Sequence, residues 1–347
     1  MRHLLTLLLL CLSLALVGCD CSEGDTGGAF GPDCHGVEEG TAGGDGSGGS
    51  GVLVFSDQAA NSIRRFEGIS TLDTAVATDL PLSGGTTRFT RPGYLAIHPT
   101  NNELITCDVG SQAVIFHTDP LSVEGDVPPS RILVGPATEM IAPEQAYVDT
   151  ETDELYVLDR GASAILVYAS ASSIDGELAP IRRIAGPTSG IANPTCFIVN
   201  PSTARMTVIT PSEVLTFEDY RAINGDSAPA GRVSGTATTF QNLTYGLFDS
   251  ANGLVLVDQG TNSILYFQDF AFDQNNQAPT RTISGGNTGI TSPAQFVLTS
   301  GDNMYLANGA NVLYFENVRE LEGNPFPNRR FSATNPASQG IRGLVQP

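Results

Sequence analysis

A polar turn that comes round about every fifty residues constrains this chain more than any other feature. VLVFSDQAANSIRRF, ELITCDVGSQAVIFH, ELYVLDRGASAILVY, RMTVITPSEVLTFE, GLVLVDQGTNSILYF and NMYLANGANVLYFE succeed one another along it. Asp57, Asp108 and Asp159 are 51 residues apart, and Asp258 falls 99 after Asp159, which leaves room for a degenerate copy centred on Thr210. Each copy is a β-branched or aromatic run, a polar turn and a second such run, the signature of a hairpin. A third segment (PSRILVG, PIRRIAG, PAGRVSG, PTRTISG) carries Arg131, Arg182, Arg232 and Arg281 once per copy, and Arg329 continues the series. A fourth closes each unit as GYLAIHP, QAYVDT, CFIVNP, YGLFDS, QFVLTS and RGLVQP.

Four strands per unit and six units of about 49 residues over 52–347 predict an all-β, six-bladed β-propeller, since radial repetition leaves only short, protected sheet edges. The copies begin at Val52 on the second strand of a blade and end on an innermost strand, so neither end completes a sheet alone. A ring resolves this if the segment from Arg342 to Gln346 pairs with the N-terminal strands. An open solenoid would need polar capping repeats, which the sequence does not show.

The unit resembles the NHL-type repeat, with Asp149, Tyr156, Val157, Asp159 and Ile165 in the places of its Ala-Val-Asp, Ile-Tyr-Val-Ala-Asp and following Ile. The resemblance covers nearly all of 52–347. It implies a propeller and a binding role without implying one reaction.

Ahead of the repeats, Arg2 and His3 precede an apolar run from Leu4 to Val17, too short to span a bilayer comfortably and laid out as a secretory signal. Leu16-Val17-Gly18-Cys19 resembles the lipobox of bacterial lipoproteins, which implies a signal peptide over 1–18, acylation of Cys19 and a palmitate-type membrane anchor in the cell envelope. Asp20 resembles an inner-membrane retention signal of some enteric bacteria, but other lineages follow other rules, so either membrane fits. Residues 19–51 are Gly-rich, with seven acidic side chains and no Lys or Arg. They read as a flexible tether reaching roughly 30 Å. Cys21 and Cys34 within it fit a disulfide, free thiols or, with His35, part of a metal site.

All 17 basic residues are Arg. Without Lys there is no Schiff-base amine, P-loop ammonium or Ser-Lys dyad. A net charge of −20 makes a nucleic-acid partner improbable, because phosphate binding rests on dense positive charge. A monomer is expected. No Gly-x-Ser-x-Gly, His-Glu-x-x-His or dinucleotide fingerprint occurs.

Candidate residues fall at the two channel mouths. Where innermost strands end, His98, Asp149, Asn200, Asp249, Thr299 and Gln346 are expected to form a polar ring. Its residues Asp149, Asn200 and Asp249 are weak candidates for a cation such as Ca²⁺, although Asx side chains also cap turns for local reasons. At the opposite mouth lie Asp57, Asp108, Asp159 and Asp258, expected chiefly to hold turn amides or to pair with the arginine series. Arg88, Arg91, Glu139, Arg160 and Arg342 break the repeat symmetry there and are the candidate contacts for a protein, peptide or carbohydrate ligand. No cofactor is expected. His117 occupies the place of Phe66, Tyr168 and Phe267 and reads as a packing residue, while Cys107 and Cys196 read as core. The leading expectation is a non-catalytic, lipid-anchored binding propeller. The alternative is a cation-dependent hydrolase or lactonase of the envelope.

Overall fold

A computed structural model of the chain describes residues 51–69, 81–122, 124–332 and 340–346. The signal segment, Cys19 and the tether with Cys21 and Cys34 lie outside the described residues.

The repeats fold into six antiparallel sheets. Blade I joins Ile341–Val345 (inner), Val52–Asp57 and Ser62–Glu67, and Leu82 takes the fourth place as a single bridge opposite Ile63. Blade II runs through Pro92–Ile97, Glu103–Asp108, Ala113–Thr118 and Arg131–Leu133, and blade III through Pro143–Asp149, Glu154–Asp159, Ala164–Ala169 and Arg182–Ile184. Blade IV comprises Cys196–Asn200, Arg205–Ile209, Val214–Glu218 and Gly231–Val233, and blade V Leu243–Phe248, Leu254–Asp258, Ser263–Phe267 and Arg281–Ile283. Blade VI adds Pro293–Thr299, Asn303–Asn308, Asn311–Phe315 and Arg329–Ser332. Each inner strand touches the inner strand of the next blade, from I round to VI and back to I, so the sheets form a propeller.

Alternation explains why near-continuous apolar strands suit this ring. A strand buried on both faces sends successive side chains to different neighbours. In Val52–Asp57, Leu53 and Phe55 pack toward blade VI with Ala307 and Val312, whereas Val54 packs toward blade II with Leu95 and Leu104. The core is therefore a set of clusters between adjacent blades rather than one central mass.

Closure occurs as the sequence predicts. Val345 pairs with Val54, Leu344 with Phe55 and Ile341 with Asp57. The Gly343 amide donates to the Ser56 hydroxyl (2.7 Å), which donates to the Gly93 carbonyl of blade II (2.7 Å). On the other side the Leu344 amide donates to Gln295 Oε1 of blade VI (2.8 Å). Leu344 and Ile341 are fully buried, each contributing about 1.5–3 kcal/mol.

Candidate functional site

At the upper mouth, where the inner strands begin, the recurring aspartates are fully buried and their oxygens are engaged. Asp108 accepts from the amides of Thr90 (2.8 Å), Arg91 (3.0 Å) and Ser111 (2.8 Å), as well as from the Thr90 hydroxyl (2.7 Å). Asp159 accepts from the amides of Ile141 (2.6 Å), Ala142 (2.9 Å) and Ala162 (2.8 Å). Asp258 does the same for Gln241, Asn242, Gly260 and Thr261. Asn308 fills this place in blade VI, accepting from Thr291 and Ser292, both at 2.9 Å. Asp57 accepts from the Ala60 amide (3.2 Å) and faces Arg64 Nε at 3.9 Å. Asp108, Asp159 and Asp258 thus each tie a hairpin turn to the loop that feeds an inner strand. Blade IV has Thr210 instead, and its turn is held by the Glu213 amide on the Thr210 hydroxyl (3.1 Å).

The arginine series has different partners. Arg131 pairs with Glu103, donates to the carbonyls of Ala171 (3.0 Å) and Ile174 (2.9 Å) in blade III, and covers the Phe116 ring. Arg182 pairs with Glu154 and donates to Tyr220 and Ile223 of blade IV. Arg232 pairs with Glu213 (2.7 Å), Arg281 covers Tyr266 and Arg329 covers Tyr314. The carboxylates that meet Arg131 and Arg182 stand at the start of second strands, not in the turns. These arginines stitch neighbouring blades together.

A third repeat was not recognised in the sequence. Gly84, Gly135, Gly186, Gly235 and Gly285 all have φ between 110° and 134°, and a Cβ there would run into Asp126, Glu177, Asp226, Asn276 or Asn324 of the next blade. Each of those side chains accepts a backbone amide from the glycine loop, such as Thr86 to Asp126 (2.8 Å) and Ala237 to Asn276 (2.7 Å). The readable signal was a Gly two or three residues before a Thr or Ser, paired with an acidic or amide residue shortly before the recurring Arg.

The axis itself is filled. Tyr94 of blade II donates from its hydroxyl to the Thr244 carbonyl of blade V, directly opposite (3.0 Å), and meets Tyr245 edge-on at 5.3 Å. Burial drives the Tyr94 phenol far above its ordinary pKa, so it stays neutral. Above it, Arg342 Nη2 lies 3.4 Å from Glu144 Oε2, and the guanidinium sits 5.0 Å from the Tyr94 ring centroid. Arg88, Arg91 and Glu139 are exposed and Arg160 is half-buried. Glu139 faces Arg183 at 3.5 Å. Between blades III and IV a groove of about 510 Å³ opens on this face, lined by Ala162, Ser163, Arg183, Gly186, Gly190 and Ile191 among others.

At the lower mouth Asp149, Asp249 and Asn200 of the expected ring are individually committed. Asp149 accepts from Arg221 Nε (2.6 Å), the Tyr220 hydroxyl (2.6 Å) and the Glu151 amide (3.0 Å). Burial raises its pKa, but hydrogen bonds from Arg221 and Tyr220 outweigh burial and hold it below the usual carboxylate range. Asp249 accepts from Ala251, Gly253 and the Tyr266 hydroxyl, with Arg319 Nε at 3.3 Å, and Asn200 caps its own turn through Thr203 (3.2 Å). Among the described residues, no three His, Cys, Asp or Glu side chains are grouped so as to hold a metal ion. A cleft of about 170 Å³ lies here, lined by Ile97, Tyr147, Val148, Val199 and Arg221 among others.

The rings of His117 and Phe89 meet at 5.1 Å, tilted by 48°, with His117 almost wholly buried. Its register partner is Leu104, as Leu53 is to Phe66 and Leu155 to Tyr168. Cys107 and Cys196 are buried free thiols, and burial pushes Cys196 up to about 12.

No protein-family model and no curated protein matches the sequence. Solved structures do resemble the fold. A chain of a nidogen/laminin complex is 13% identical over 85% of this chain and 97% of its own, with a TM-score of 0.53. A Bacteroides caccae protein of unknown function is 12% identical over 85% of this chain and 98% of its own, with a TM-score of 0.54. A candidate 6-phosphogluconolactonase from Bacteroides fragilis is 13% identical over 79% of each chain, with a TM-score of 0.52. At these identities the likeness is one of fold alone.

Proposed function

We propose that this chain is a lipid-anchored, non-catalytic propeller of the bacterial cell envelope that binds a partner ligand at its upper mouth. The observation that carries the reading is the composition of that face. In a chain of net charge −20, it carries Arg88, Arg91, Arg160, Arg183 and Arg342 and a groove of about 510 Å³ lined in part by Arg183, while its aspartates are buried on backbone amides. Solvent-accessible guanidiniums thus sit on one face while its recurring carboxylates turn inward onto amides, an arrangement that favours contact with an acidic ligand there. The NHL-like repeat and the propeller in the nidogen/laminin complex support a binding role. The lipobox and Cys19 support the anchor.

Photo-cross-linking in intact cells tests the site. A photoreactive residue in place of the exposed Arg91 should yield a discrete adduct, whereas one in place of Glu151, 73% exposed at the lower mouth, should not. Adducts at Glu151 alone would place the ligand elsewhere. A cation-dependent lactonase is the second reading, motivated by the fold shared with the candidate lactonase from Bacteroides fragilis and by the carboxylates Asp149 and Asp249. A bound cation would make the melting temperature differ between EDTA and excess Ca²⁺, whereas coincident melts support the binding reading.

A further inference from the structure

Arg342, on the innermost strand at the axis, leaves most of its donors unspent among the described residues. Arg131 and Arg182 each spend their guanidinium on a glutamate and on two carbonyls of the next blade, and Arg221 makes two bonds to Asp149 and one to Glu151. Among the described residues, Arg342 makes one hydrogen bond, to Glu144, at a long 3.4 Å. A guanidinium offers five N–H donors in a planar fork. Its side chain is 21% exposed, so the remaining donors border solvent at the upper mouth.

The setting fixes that fork in place. Arg342 and Glu144 come from inner strands of blades I and III, and the strand between them carries Gly93. The Gly93 carbonyl lies where a Cβ on Gly343 would fall (2.6 Å), and a Cβ on Gly93 would stand 3.4 Å from the Glu144 carbonyl. With no side chain on blade II at that level, the pair meets across it. Tyr94 lies beneath the guanidinium and is itself pinned by Thr244. Arg160 is near enough to act electrostatically on the same phenol. Arg91 adds an exposed cation two residues before Gly93, and Ile141, 53% exposed, offers an apolar contact three residues before Glu144.

We infer that Arg342 is the anchor for a carboxylate of a partner polypeptide, with Arg160 and Arg91 flanking it and Glu144 as the internal competitor for its donors. This rests on the upper mouth being the binding face and names the chemistry recognised there. The solvent-facing edge of the fork suits a bidentate carboxylate, and Ile141 suits an apolar residue beside it. A peptide is favoured over a glycan because Tyr94, the ring beneath the guanidinium, is buried and offers no face for a sugar to stack on.

The two partners of the ion pair should respond in opposite directions. The test uses the full chain with ¹⁵Nε-labelled arginine, taking the Arg342 signal as the one lost in Arg342→Gln. The probe is the tetrapeptide Ala-Ala-Ala-Leu as free acid, compared with its C-terminal amide and with an amidated peptide bearing an internal Glu. The free acid should shift the Arg342 signal saturably. Arg342→Gln should weaken binding about tenfold or more, the scale of a charged hydrogen bond. Glu144→Gln, which removes the competitor, should tighten it about threefold or more. Response to the internal Glu peptide as well assigns a side-chain carboxylate; response to the free acid alone assigns a chain terminus. An Arg342 signal unmoved by every carboxylate peptide overturns the inference, as does a Glu144→Gln variant that binds no tighter. An unmoved signal alongside a discrete adduct at position 91 would retire the carboxylate anchor and leave the binding face standing.

Discussion

His117 offers the sharpest quantitative test of how this ring is packed. In the other blades the equivalent place in the third strand holds Phe66, Tyr168, Phe217, Phe267 and Phe315, paired with Leu53, Leu155, Met206, Leu254 and Met304. In blade II it is an imidazole, 1% exposed and packed at a tilt against Phe89. Burial lowers its pKa from 6.5 to about 4, because the charged form would lose its hydration. The native state therefore resists protonation while the unfolded chain accepts it. Above pH 6.5 the group costs nothing; the penalty grows as pH falls toward 4 and is constant below that. The full linkage is on the order of 3 kcal/mol, and between pH 7.5 and pH 5 it reaches about 2 kcal/mol. The perturbation is His117→Phe, which restores the residue type used elsewhere and removes the titration. Urea unfolding of both full chains at pH 7.5 and pH 5, followed by far-UV dichroism and tyrosine fluorescence, gives the four stabilities. His98, whose pKa burial also lowers, contributes equally to both chains, so the difference between them isolates His117. The parent should lose about 2 kcal/mol more than the variant on acidification. Parallel losses in the two chains would refute the burial argument.

Three further outcomes follow from the same structure. Asp258→Ala leaves the part-buried amides of Gln241, Asn242, Gly260 and Thr261 without their acceptor and should cost about 3 kcal/mol in denaturant unfolding, whereas Asp258→Asn, which copies Asn308, should cost about 1 kcal/mol. Equal costs would contradict the turn-staple role. Truncation after Asn335 removes Leu344 and Ile341, about 3–6 kcal/mol of apolar burial out of a typical total near 5–15, and should lower the melting temperature of the whole body; an unchanged melt would show that closure contributes little. Cys19→Ser should move the protein from the membrane pellet to the soluble fraction, and continued sedimentation with membrane would end the lipid-anchor proposal.

Much of this architecture was legible because it is written locally. Alternation within Val52–Asp57 and its equivalents, the turn aspartates and the fifty-residue period all act over one hairpin or one blade, so a linear reading reaches them. The unfinished sheets at the two ends even dictated which strand must close the ring, and Leu344 lies against Phe55 accordingly. Side-chain partnerships beyond a single hairpin were not legible. Glu103 and Glu154, not the turn aspartates, receive Arg131 and Arg182, and the glycine loops lean on acceptors one blade away. The Arg342–Glu144 pair joins residues 198 positions apart and forms only once the last strand has docked beside the first. Hydrogen-bonding alternation and turn chemistry belong to contiguous residues, so the sequence alone set the repeat, the blade and the ring. Which charges are spent on the scaffold, and which guanidinium keeps donors for a ligand, depends on distances between separate blades, and only the closed ring decided those.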